Sequence, residues 1–105
     1  MIDRIDDAWT ALRICLEVRS RELSDDVRLY PTPIARCDEQ LTKAIEDRDA
    51  VNRCLRTASE LETARSTIAR DEWFVRLRAF ADGIRKTDDE TVAAACQRLV
   101  AALER

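Results

Sequence analysis

The chain contains no histidine, one glycine, two prolines and only five aromatic residues among 105. Each scarcity excludes something. Without histidine the chain lacks the commonest general base and the commonest metal ligand, and a di-iron bundle built on Glu-x-x-His pairs is ruled out. So few glycines and prolines leave little material for tight turns and no low-complexity linker. Strand-forming residues never alternate over a useful run, which excludes a recognisable sheet. No apolar run approaches the ~20 residues of a membrane span. The opening Met-Ile-Asp-Arg-Ile-Asp-Asp is acidic and periodic, unlike a secretory leader. The four cysteines (Cys15, Cys37, Cys54, Cys96) are too far apart for a zinc site of paired ligands. They read as reduced, buried thiols of a cytoplasmic protein.

What is present favours helix. Hydrophobic residues make up 46% and charged residues 37% of the chain. Ala, Leu, Arg and Glu are plentiful, and these side chains lose little freedom in a helix. Ile2, Ile5, Trp9, Leu12, Leu16 and Leu23 recur at three- and four-residue steps, predicting a first helix over about 3–23. Tyr30-Pro31-Thr32-Pro33 cannot be helical throughout. Thr32 suits an N-cap and Pro33 a first helical position. A second helix, about 33–57, carries Ile34, Cys37, Leu41, Ala44, Ile45, Val51, Leu55 and Ala58 on one face. Beyond it the apolar direction swings by more than 90°, at ~100° per residue. Thr57/Glu60 and Ser59/Glu62 have capping-box spacing, so a turn is expected there. A third helix then spans about 60–84. Thr87-Asp88-Asp89-Glu90 is a further capping box, opening a fourth helix over about 88–104 with Val92, Cys96, Leu99 and Leu103 on its stripe. The expected fold is one all-α domain over 1–105, an antiparallel bundle of four helices.

Chemistry is thinly marked. Asp3, Asp6 and Asp7 suit a helix N-terminus. Glu46 and Asp49 share a face of the second helix. With Asp38-Glu39 and Asp71-Glu72 they raise the alternative of a small Mg²⁺-dependent enzyme acting on a nucleotide or phosphate. All-α nucleotide pyrophosphohydrolases use a denser Glu-x-x-Glu plus Glu-x-x-Asp pattern, which is absent here. Interleaved Arg48, Arg53 and Arg56 suggest a solvated salt-bridge face instead. No catalytic residue, cofactor or metal ligand is assigned. The net charge of −3 exerts no general pull on nucleic acid or membrane. Locally, six cations face three anions in 63–86, which leaves −6 elsewhere. Arg65, Arg70, Arg76 and Arg78 therefore raise a second alternative, an Arg-mediated nucleic-acid binder. Their spread around the helix and the lack of a helix-turn-helix argue against it.

The most informative feature is the third helix, whose C-terminal half is apolar around most of its circumference. Such a helix is either central or meets a second chain. Trp73, Leu77, Phe80 and Ile84 form the stripe, with arginines nearby, a composition favoured at interface hot spots. The expected function is a small protein–protein interaction module, an adaptor, inhibitor or assembly factor. Its expected partner is a second copy of the chain or another protein, docked on this stripe, with no membrane involved.

Overall fold

The computed structural model describes residues 4–28, 38–84, 87 and 89–104, apart from the side chains of Asp38 and Gln40. Its four helices are α1 (Arg4–Arg28), α2 (Asp38–Ala64), α3 (Arg70–Ile84) and α4 (Glu90–Leu103). No strand occurs among the described residues. The chain runs up, down, up, down. Ser20 donates to Asn52 at 2.6 Å and Trp9 Nε1 to Glu62 at 2.6 Å, fixing α1 and α2 antiparallel. Arg19 pairs with Asp89 at 3.2 Å, while Arg4 and Ala8 face Arg98 and Ala102, so α4 is antiparallel to α1.

The core is built where all four helices overlap. Trp9, Leu12 and Leu16 of α1 meet Ala58 and Leu61 of α2, Trp73 and Leu77 of α3, and Val92, Cys96 and Leu99 of α4. Trp9 stands edge-on to Trp73, with ring centroids 6.3 Å apart, and to Phe80 at 5.9 Å. Edge contacts of this kind favour aromatic pairs. Each buried indole N–H has an acceptor, Glu62 for Trp9 and the Leu61 carbonyl, at 2.7 Å, for Trp73.

Helix boundaries differ from those expected, for local reasons. The first helix continues past Leu23 to Arg28, because Ser24, Asp25 and Asp26 stay helical and Asp25 pairs with Arg28 at 2.8 Å. No turn occurs at 57–60; α2 is unbroken to Ala64. The Thr57 and Thr63 hydroxyls donate back to the carbonyls of Arg53 and Ser59. A hydroxyl engaged with the preceding turn stays within the helix rather than capping it. The break lies at 65–69, where the Thr67 and Ile68 amides both bond the Ala64 carbonyl. The third helix therefore begins at Arg70, not near 60. The swing of the apolar direction marks a change of neighbour along one helix, with Leu61 buried beneath Trp73. The cap of α4 is Asp89 rather than Thr87: Asp89 accepts from the Thr91 and Val92 amides, at 2.9 and 3.0 Å. Thr87 instead accepts from the Asp89 amide at 3.3 Å. Tyr30, Thr32, Pro33 and Cys37 lie outside the described residues.

Candidate interaction site

The helices are unequal. At 1.5 Å per residue, α1 and α2 run roughly 40 Å, while α3 and α4 run roughly 22 Å. Asp89, at the head of α4, is level with Arg19. The last third of α1 and the first half of α2 therefore project past the shorter pair, giving a molecule 52 Å long and 25 by 22 Å across. On this projecting length the apolar face of α2 is poorly covered. Leu41 and Ile45 there, and Val51 and Leu55 where it joins the core, are each half-buried, and no side chain described between Glu39 and Thr57 is fully buried.

Between α2 and α3, which meet only sparsely, an open groove of about 680 Å³ runs toward this end. Ala50, Val51, Cys54 and Thr57 form its α2 wall, and Ala79, Phe80, Gly83 and Ile84 its α3 wall. Leu16 and Leu23 of α1 and Val92 of α4 make the floor. Arg19, Asp47, Arg53 and Asp89 stand around the rim. The volume lies within the usual range of binding clefts.

The stripe expected to dock a partner divides across this groove. Trp73 is 2% exposed and Leu77 0%, so both belong to the core of one chain and present nothing outward. Phe80 and Ile84 are half-buried and form the groove wall. Val51 and Cys54, opposite them, carry no site signal in the sequence: Val51 reads as core stripe and Cys54 as the edge of that stripe.

The three described cysteines are free thiols. Cys96, at the core, is pushed up to about 11 by burial and then by the nearby Cys54 and Cys15. Burial likewise raises Cys54, against a smaller opposing pull from Arg53. Such thiols are held neutral and unreactive. The candidate carboxylates do not converge. Glu46 and Asp49 are exposed, and Asp49 pairs with Arg48 at 3.4 Å. Among the described residues no three His, Cys, Asp or Glu side chains gather as a metal site.

The arginines of the basic stretch are already engaged. Arg65 bonds Asp6, lies 3.7 Å from Glu62 and sits over the Trp73 ring at 4.6 Å. Arg76 pairs with Glu72 at 3.0 Å, and Arg78 with Asp82 at 3.7 Å and Glu104 at 2.8 Å. Arg70 lies over Phe74 at 5.1 Å. No described helix is long and apolar enough to cross a membrane.

No known protein family, characterised protein or solved structure matches the chain. The bundle and its groove are therefore the whole basis for a functional reading.

Proposed function

We propose that the chain is a small protein–protein interaction module that self-associates through the groove between α2 and α3, as a homodimer. The observation carrying this reading is the half-covered apolar face of Val51, Phe80 and Ile84 in a groove at the projecting end of the bundle. Covering that face adds apolar burial, at roughly 25 cal/mol per Å² removed from water. Free, neutral thiols suit the cytoplasm as its site of action.

Sedimentation equilibrium with reductant, over roughly micromolar to hundred-micromolar protein, tests this. A dimer is expected, and Ile84→Glu is expected to weaken it because a charge would be desolvated in the contact. A monomer at every concentration overturns the reading. The helix content of Ile84→Glu, read by circular dichroism, separates lost association from lost folding.

A further inference from the structure

The α2 wall of the groove says more about its occupant than the α3 wall does. Asp47, Ala50, Cys54 and Thr57 recur at three- and four-residue steps, with Val51 and Arg53 beside them, so all six lie on one broad face of the helix. The face is arranged about Ala50. An anion, Asp47, stands three residues before it, and a cation, Arg53, three residues after. Arg53 is exposed, and among the described residues its guanidinium makes no hydrogen bond or ion pair. Among the described residues Asp47 pairs with the exposed Lys43 on its own helix, at 3.5 Å. The α3 wall of the groove, Ala79, Phe80, Gly83 and Ile84, carries no charged side chain.

A two-fold contact joins the same patch on both copies, so residue i meets j while j meets i. Two copies of α2 laid antiparallel over Ala50 place each Arg53 against the other copy's Asp47, making two matched pairs in one register. A parallel arrangement would instead set Asp47 against Asp47 and Arg53 against Arg53. At the centre, Ala50 puts only a methyl group between the two backbones. That permits the closest separations of packed helices, ~8 Å. Phe80 and Ile84 then flank the incoming helix, and Gly83 between them presents no side chain to obstruct it.

We infer that the groove's occupant is α2 of a second copy, antiparallel and centred on Ala50, with Arg53 and Asp47 pairing across the two-fold axis. This rests on the homodimer reading above and adds its register.

The test uses Asp47→Arg and Arg53→Asp in the full chain, each alone and mixed in equal amounts, by sedimentation equilibrium. Each variant alone sets like charges face to face twice, and its dimer is expected to weaken about tenfold. In the mixture every facing pair is opposite in sign, so dimers at near wild-type strength are expected to return. A change confined to one chain's own stability cannot produce that recovery. If the wild type dimerises but the variants are unaffected, or their mixture stays dissociated, the register is overturned while the homodimer stands. If the wild type is monomeric throughout, both fall.

Discussion

At the scale of single residues, the core is organised by two tryptophans whose polar edges are satisfied. The Trp73 indole N–H donates a hydrogen bond to the Leu61 carbonyl, which also accepts from the Arg65 amide at the end of α2. That bond ties the start of α3 to the end of α2 across the 65–69 turn. Trp73→Phe removes the donor and leaves a small cavity where the larger indole was, and is expected to cost about 2–4 kcal/mol in urea unfolding. Cys96 offers a second test. Its thiol ordinarily titrates near 9.0 and is raised in the fold to about 11. The folded state thus holds the proton more tightly than the unfolded state. The associated stability is complete below about pH 9 and is lost as pH rises toward 11. Urea unfolding across that window is expected to show the decline, and Cys96→Ala, lacking the thiol, is expected to flatten it.

At the scale of elements, α4 depends on its cap. Asp89 accepts two amide protons of the first turn and also holds Arg19 of α1, so it fixes both the start of α4 and its height along the bundle. Asp89→Ala is expected to lose about 1–2 kcal/mol, whereas Asp89→Asn, which keeps an acceptor, loses less. Gly83 lies inside α3 without a positive φ, and a Cβ built there meets nothing within 4 Å. Gly83→Ala is therefore expected to stabilise the monomer by roughly 0.5–1 kcal/mol, measured by thermal unfolding at low concentration. Four helices and their antiparallel order were legible in the sequence, because 3.6-residue periodicity is strong in Trp9–Leu12–Leu16 and in Val92–Cys96–Leu99. The break between α2 and α3 was not. A threonine's hydroxyl can cap or bond backwards, and Thr57 and Thr63 do the latter. Nor could the sequence divide the Trp73–Ile84 stripe, since how far α3 reaches along α2 decides which of its residues are covered, and that depends on tertiary placement of the 65–69 turn.

At the scale of the whole molecule, the governing fact is the mismatch between the long α1–α2 pair and the short α3–α4 pair. Stability is concentrated where four helices overlap. Amides of α2 near Ala50 are expected to exchange hydrogen faster than those around Leu99, because fewer buried contacts hold them. Dimer formation is expected to slow exchange around Ala50 and to make the thermal midpoint rise with protein concentration, since mass action favours the associated folded state. The same mismatch has an optical consequence. Both tryptophans lie in the four-helix half, edge to face, and Trp73 contributes nothing to the groove lining. The intrinsic emission of this protein is therefore a gauge of one end only. It will register the loosening of the base, and an occupant of the groove can reach it only through Phe80, which lines the groove and stands 5.9 Å from Trp9.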